Sequence, residues 1–141
     1  RNSFFQLLYL MLVSTFHSAI IYDGLAILRL HDPHSYHLPI PLIICSINVL
    51  TFLIASYSNP GIITQKNVKY HLSFYKFDSV IFRRGDVCST CKFMKPARSK
   101  HCKITDRCIY KFDHYCVWIG NAIGGNNHRY FLLLLFTLAV M

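Results

Sequence analysis

Three apolar runs divide this chain, and two of them are long enough to cross a membrane as helices. Residues 3–30 form the first run, and residues 38–57 form the second, which contains 20 residues and no charged side chain. About 20 apolar residues suffice for a helix to span the hydrocarbon core of a bilayer. The third run begins at Tyr130 and has twelve residues, so we expect it to be the start of a third helix. A signal peptide would need a shorter apolar centre and a small-residue cleavage site, which the first run lacks.

Polar sequences separate these runs. Residues 31–37 contain three histidines at three-residue spacing. Pro33 opposes the helix that would align them, and no thiol accompanies them, so we predict a solvated loop rather than a metal site. Residues 58–61, Ser-Asn-Pro-Gly, have strong turn chemistry and end the second helix. Asn48 lies in the middle of the second run, where we expect it to join helices by a hydrogen bond.

Basic residues are concentrated between the second and third runs. The formal net charge is +9, and thirteen of the fifteen Lys and Arg residues lie from Lys66 to Arg129. Such an excess would suit a nucleic-acid binder, but it also follows from the enrichment of Lys and Arg in the cytoplasmic loops of membrane proteins. The second explanation accounts for the position of the charges as well as their number. We therefore expect this segment and the N-terminus to face the cytosol.

The segment directly after the second run mixes aromatic and basic side chains. Here we expect a linker with interfacial aromatic residues and a short amphipathic helix over residues 68–77. The same mixture could stack single-stranded nucleic acid. Its place beside a membrane span favours lipid headgroups as the partner.

These patterns predict an all-α polytopic membrane protein with a small cytosolic domain. We expect two transmembrane helices with a short lumenal loop in residues 1–58, a cytosolic linker in 59–87, a cysteine-rich domain in 88–128 and the start of a third transmembrane helix in 129–141. Since the chain lacks an initiator Met and stops inside an apolar run, we expect it to be a fragment of a longer protein.

Five of the six cysteines lie within 29 residues of one another. Thiols in the cytosol stay reduced, and this polar segment is too small to bury a self-sufficient core. Cys88 and Cys91 present two thiolates on one tight turn, and with His101 and Cys108 they form a Cys3His set suited to structural zinc. Cys102 follows His101 directly and could compete for the same position. The sequence therefore predicts a zinc site in which the histidine ligand is the least certain member.

The cysteine-rich segment ends in Asp113-His114-Tyr115-Cys116, which contains the parts of an activated thiol. The thiolate is the nucleophilic form of cysteine. A neighbouring His can take the thiol proton, and a carboxylate can orient that His and stabilise its charged form. Taken alone, however, the tetrapeptide fits zinc ligands or ordinary loop residues better.

A longer pattern surrounds the tetrapeptide and resembles the Asp-His-His-Cys (DHHC) family of protein S-acyltransferases, also called palmitoyltransferases. The similarity covers about residues 59–131 by motif and the whole chain by topology. Asn59-Pro60-Gly61 stands where the family has Asp-Pro-Gly. The other matching positions are Cys88, Cys91, Lys95, Pro96, Arg98, His101, Cys102, Cys108, Asp113, His114, Cys116, Trp118, Asn121, Gly124, Asn127 and Phe131.

This resemblance implies part of a four-helix transmembrane bundle, integral to the endoplasmic reticulum or Golgi membrane, with a cytosolic cysteine-rich domain. Cys116 would take a long acyl chain from acyl-CoA as a thioester and pass it to cysteines of substrate proteins. His114 would be the base, and Asp113 would orient it. Lys95 and Arg98 are candidates for binding the phosphates of acyl-CoA, although they also suit contacts with lipid headgroups. Trp118 is a candidate for contact with the acyl chain, although it also suits an interfacial anchor.

The departures from the family pattern concern its metal sites. Cys88, Cys91, His101 and Cys108 match one of two family zinc sites. The second family site uses Cys102 with three ligands that this chain replaces by Thr105, Tyr115 and Ala122. Because one thiolate cannot hold a structural zinc, we predict one zinc rather than two. We expect packing around Tyr115 and Phe112 to replace the second metal.

Two other functions remain open. Without the second metal, the segment around Tyr115 could be less stable and leave Cys116 poorly placed. The protein would then be a pseudoenzyme or a membrane-tethered zinc scaffold. A membrane-tethered zinc finger for nucleic acid would also explain the cysteines and the charge, but it requires steeply salt-dependent binding. The acyltransferase is the leading hypothesis, with the bilayer, acyl-CoA and substrate proteins as partners and no nucleic acid.

Overall fold

The computed structural model describes residues 3–31, 39–80 and 82–140. In chain order the elements are α1 Phe4–His31, α2 Pro39–Tyr57, β1 Ile62–Ile63, α3 Val68–Leu72, β2 Lys100–Cys102, β3 Arg107–Ile109, β4 Tyr115–Cys116, β5 Asn121–Ala122 and α4 His128–Ala139. The chain forms two compact units. The helical unit comprises residues up to Ser56, 118–120 and those from Tyr130 onward; the cysteine-rich unit comprises 57–117 and 121–129.

Most of α1, α2 and α4 belongs to the helical unit. The segments Phe4–Ala26 and Pro39–Tyr57 are long and apolar enough to cross a membrane. Large apolar side chains along them face outward, among them Met11 of α1 and Leu50 of α2. Such faces are stable where lipid rather than water surrounds the helix. The helical unit therefore has the surface of a membrane protein.

A buried set of polar side chains joins these three helices. Asn48 of α2 accepts a hydrogen bond from the Tyr9 hydroxyl of α1 at 2.7 Å and donates one to Thr137 of α4 at 3.0 Å. Gln6 of α1 is also buried and donates to the carbonyl of Ile119 at 2.7 Å. Polar groups within hydrocarbon must find partners inside the protein, so these contacts fix which helix faces meet. The expectation that Asn48 joins helices is confirmed.

The cysteine-rich unit is built on five strands of two or three residues. A three-stranded antiparallel sheet has the order β1-β3-β2, and β4 pairs with β5 as a separate antiparallel ladder. In the β2–β3 pair, His101 lies opposite Cys108, and Cys102 lies opposite Arg107. An isolated bridge between Val87 and Met94 closes the turn that carries Cys88.

The alternation of side chains along a strand gives the sheet a separate core on each face. The first core contains Cys108, Cys88, Ile63, Val68 and Phe93. The second core contains Cys102, Ile109 and Ala122, with Ile62, Phe112 and Tyr115 packed against them. Adjacent residues of one strand, such as Cys108 and Ile109, thus serve different cores.

The predicted fold is confirmed in its coarser form, with two apolar helices and a small Cys/His-rich domain. An all-α description is not confirmed, because the cysteine-rich unit contains strands. These strands are too short to produce an alternating apolar pattern. The short helix α3 begins at Val68, as expected, but ends at Leu72. The predicted loop at 31–37 lies outside the described residues apart from His31.

Candidate metal centre and reactive cysteine

The four predicted zinc ligands come together at one end of the first core. Cys88 and Cys91 lie on one turn, His101 lies on β2 and Cys108 lies on β3. The Nδ1 atom of His101 is 3.5 Å from Cys88 Sγ, 3.4 Å from Cys91 Sγ and 3.8 Å from Cys108 Sγ. Tetrahedral zinc, with bonds of about 2.3 Å to sulfur and about 2.0 Å to nitrogen, places such atoms about 3.6 Å apart. The ligand set therefore fits zinc.

The register of the sheet decides between His101 and Cys102 as the third ligand. His101 is paired with Cys108 and shares its face of the sheet. Cys102 is the next residue along β2, so its side chain points to the opposite face, where it packs in the second core. His101 is thus the residue placed with the other three ligands.

Two thiols of this cluster have pKa values shifted in opposite directions. Burial raises the pKa of Cys88, but hydrogen bonds from the backbone amides of Cys91 and Thr90 and from the Cys108 and Cys91 thiols together lower it to about 7. Burial, together with the neighbouring thiols, raises the pKa of Cys108 well above its ordinary value. A bound divalent cation would resolve this conflict, since coordinating thiols are deprotonated.

Asp106 is a supporting residue that the sequence analysis missed. Its Oδ1 lies 3.2 Å from His101 Nε2, the ring nitrogen on the side away from the three thiols. A carboxylate in this position accepts the Nε2 proton and leaves the Nδ1 lone pair to the metal. Asp106 has a positive φ of 52°, and it occupies the tight turn between β2 and β3. Sequence spacing gave no signal for this contact.

Apolar packing surrounds Cys102 and Ala122, two of the positions that the family resemblance assigned to a second metal site. Cys102 and Ala122 are 3% and 0% exposed, and Tyr115 and Phe112 pack against their cluster. Within the described residues, the group around His101 is the one set of His, Cys and acidic side chains placed to share a metal ion. The binding of one zinc rather than two remains a prediction. It requires that packing rather than a metal stabilise this region, and the apolar cluster provides such packing.

Backbone hydrogen bonds hold the candidate catalytic residues in order. Cys116 is half-buried in β4 and lies opposite Asn121 of β5. The pairing continues where Asp113 donates its N–H to the Ile123 carbonyl at 2.9 Å and Ile123 donates to the His114 carbonyl at 2.7 Å. The tetrapeptide is therefore part of an ordered ladder.

The carboxylate of Asp113 lies between two imidazole rings. Its Oδ2 is 3.3 Å from His114 Nδ1 and 3.6 Å from His128 Nε2. The first contact is the one that the sequence analysis expected. The second was missed, because His128 is fifteen positions further along the chain and only the fold brings it near Asp113.

A basic cavity of about 630 Å³ opens beside this carboxylate. Its lining residues are Arg98, Lys111, Phe112, Asp113, Gly125 and His128. Arg98 and Lys111 both adopt a positive φ, at 61° and 46°. Such backbone costs about 1 kcal/mol or more per residue and is concentrated at functional sites. A hydrogen bond from Arg98 holds the pKa of Tyr75 below its ordinary value; burial opposes this shift, and the charge of Lys111 adds to it.

The other two candidate ligand-binding residues lie elsewhere. Lys95 pairs with Asp86, with 2.9 Å between Nζ and Oδ1, and it is absent from the described residues that line the basic cavity. The Asp86 hydrogen bond raises the pKa of Lys95. Trp118 belongs to the helical unit, where its ring meets that of Phe5 edge-on at 5.5 Å.

Comparison with known proteins agrees with this combination of metal centre and reactive segment. Residues 81–141 match the family model described as DHHC palmitoyltransferase. This segment belongs to the DHHC palmitoyltransferase family. Its Asp-His-Tyr-Cys tetrapeptide is thus a variant of the sequence for which the family is named.

Relatives extend the similarity over nearly the whole chain. Palmitoyltransferase ZDHHC4 of Bos taurus is 40% identical over 138 residues, which are 98% of this chain and 40% of that protein. Palmitoyltransferase SWF1 of Yarrowia lipolytica is 45% identical over 104 residues, 74% of this chain and 27% of that protein. Palmitoyltransferase ZDHHC17 of Danio rerio is 59% identical over 54 residues, 38% of this chain and 9% of that protein. The chain thus spans less than half of these relatives.

Proposed function

We propose that this chain is the catalytic part of a protein S-acyltransferase that moves a long acyl chain, such as palmitoyl, from acyl-CoA to cysteines of substrate proteins. The observation that carries this proposal is the 3.3 Å approach of Asp113 to His114 in the segment that contains Cys116. The family match and the names of the relatives support the same reaction.

In the proposed mechanism, His114 takes the proton of the Cys116 thiol while Asp113 stabilises the resulting imidazolium. The thiolate attacks the thioester carbonyl of acyl-CoA. A bond forms between Cys116 Sγ and the acyl carbon, the bond to the CoA sulfur breaks, and the CoA thiolate takes the proton from His114. A substrate cysteine then gives its proton to His114 and attacks the acyl carbon. The bond from that carbon to Cys116 Sγ breaks, and the Cys116 thiolate takes the proton back from His114.

Positive charge beside the reactive segment would hold the CoA phosphates. Arg98 and Lys111 line the basic cavity with Asp113, and basic side chains form strong charge-assisted hydrogen bonds to phosphate. Lys95 is a weaker candidate because Asp86 already pairs with it. Trp118 remains a candidate for the acyl chain. Zinc bound by Cys88, Cys91, His101 and Cys108 would supply folding free energy rather than chemistry.

The family resemblance suggests a four-helix transmembrane bundle, of which the two apolar helices and α4 would be part. Lys and Arg are concentrated between α2 and α4, which favours a cytosolic cysteine-rich unit. Acyl-CoA and substrate cysteines would reach Cys116 from that side. An endoplasmic reticulum or Golgi membrane is the location that the family resemblance suggests.

Transfer from labelled palmitoyl-CoA to a cysteine-containing substrate tests this function in the purified full-length protein. We expect Cys116→Ser to abolish transfer and His114→Ala to reduce it at least ~100-fold, the usual contribution of a general base. Cys102→Ala, which removes a different buried thiol without adding a polar group, is the matched control and should stay active. Transfer that survives in Cys116→Ser would contradict the proposal. A folded, zinc-containing wild type without transfer would favour the pseudoenzyme.

A further inference from the structure

We propose that His128 is a positioning residue for this reaction, one that holds the Asp113 carboxylate in the orientation that serves His114. The inference rests on the proposed acyltransferase function. The two imidazoles approach the same carboxylate oxygen, Oδ2, with His114 Nδ1 at 3.3 Å and His128 Nε2 at 3.6 Å. Asp113 is thus approached by ring nitrogens from two different elements, the segment before β4 and the start of α4.

The backbone fixes the approach of His128 to Asp113. The His128 amide donates to the Gly124 carbonyl at 3.0 Å, and the Asp113 amide donates to the neighbouring Ile123 carbonyl at 2.9 Å. Asn127, the residue before His128, is fully buried. Its Oδ1 accepts from the Gly124 amide and its Nδ2 donates to the Ala122 carbonyl, both at 2.9 Å. The backbones of His128 and Asp113 are therefore hydrogen-bonded to two consecutive residues, Gly124 and Ile123.

A second contact matters for the Asp113 carboxylate because two cationic side chains line the same cavity. Its side chain is 50% exposed, and Arg98 and Lys111 line the same cavity. An exposed carboxylate can rotate toward either cation, which would take Oδ2 away from His114. Electrostatic attraction between His128 Nε2, 3.6 Å away, and the carboxylate would restrict that rotation. Contacts between half-exposed groups are weak, so we expect an effect of about two- to fivefold.

The test is the rate at which iodoacetamide alkylates Cys116, followed by peptide mass spectrometry across pH 6–9 in the full-length protein. This rate reports the Cys116 thiolate, and it requires neither acyl-CoA nor transfer. We expect His128→Leu to lower it about two- to fivefold near pH 7 and to move the pH profile upward. His128→Gln keeps an N–H donor and should remain close to wild type. In an Asp113→Ala background, His128→Leu should change nothing further.

Three results would overturn the inference: no effect of His128→Leu, an equal loss in His128→Gln, or a loss that persists without Asp113. A higher KM for palmitoyl-CoA with unchanged alkylation would also overturn it, because it would assign His128 to phosphate binding. His128→Ser, too short to reach Asp113, replaces the Leu variant if the latter does not fold. The expected alkylation pattern without acyl transfer would count against the acyltransferase and leave the positioning role intact.

Discussion

The side chain of Asn59 stabilises the turn between α2 and β1. Its Oδ1 accepts hydrogen bonds from the amides of Gly61 at 2.9 Å and Ile62 at 3.0 Å. This turn requires a side-chain oxygen but no charge. Gly61 has a φ of +102°, so the turn also needs a residue without a side chain at that position. The Asn-Pro-Gly sequence is therefore a structural device between α2 and β1.

Among single residues, the contact of Asp106 with His101 also gives a prediction. Because Asp106 accepts the Nε2 proton of His101, Asp106→Ala should weaken zinc retention by about 10- to 100-fold, as loss of such partners usually does. Asp106→Asn keeps an acceptor and is the matched control. Zinc release to a colorimetric chelator, measured on the full-length protein, checks this. Equal release from the Ala variant and wild type would mean that Asp106 does not support the metal.

At the scale of elements, the β2–β3 pair separates a metal-binding face from an apolar face. His101 and Cys108 serve the first, while Cys102 and Ile109 serve the second. Strands of two or three residues have too few hydrogen bonds to be stable alone. The packed second core stabilises one face of the sheet, and a metal bound by the Cys/His cluster would stabilise the other. Cys102 and Cys108, which lie on paired strands but serve different faces, should therefore respond differently to substitution.

Substitution of two cysteines on opposite faces tests this division. Cys108→Ala removes a metal ligand and should abolish stoichiometric zinc binding with a large loss of stability, because zinc binding and folding are coupled. Cys102→Ala removes a buried sulfur from an apolar cluster and should keep the zinc at a cost of about 1 kcal/mol. Metal analysis and thermal unfolding measure both effects. Loss of zinc from Cys102→Ala would contradict the two-core arrangement.

The contacts of Asn48 make a prediction for the helical unit. Asn48→Leu removes hydrogen bonds to Tyr9 and Thr137. Hydrogen bonds between transmembrane helices contribute about 0.6 kcal/mol on average and up to about 1.7, so we expect a loss of about 1–2 kcal/mol. Ser46→Ala is the control, since the Ser46 hydroxyl bonds only the Leu42 carbonyl of its own helix among the described contacts. Detergent-induced unfolding measures the difference, and equal midpoints would contradict the role of Asn48.

For the whole molecule, the sequence could predict whatever depends on local pattern. The two spans follow from apolar length, and the zinc ligands follow from a Cys-x2-Cys turn with a nearby His and Cys. His128 and Asp106 could not be predicted. Asp106 contacts His101 across a turn, and His128 contacts Asp113 from a different element. The strands nearby are too short to be predicted from the sequence, so these contacts are seen only in the folded structure. The choice of His101 over Cys102 likewise required the strand register.

The central claim is that Cys116 carries the acyl group as a thioester, and a single-turnover experiment tests it most directly. Full-length protein is mixed with labelled palmitoyl-CoA in the absence of a protein substrate, and the label is located by peptide mass spectrometry with and without hydroxylamine. The account predicts one equivalent of released CoA and a hydroxylamine-sensitive palmitoyl group on Cys116. Label confined to Cys45 or Cys102, or CoA release without an acyl group on Cys116, would contradict it.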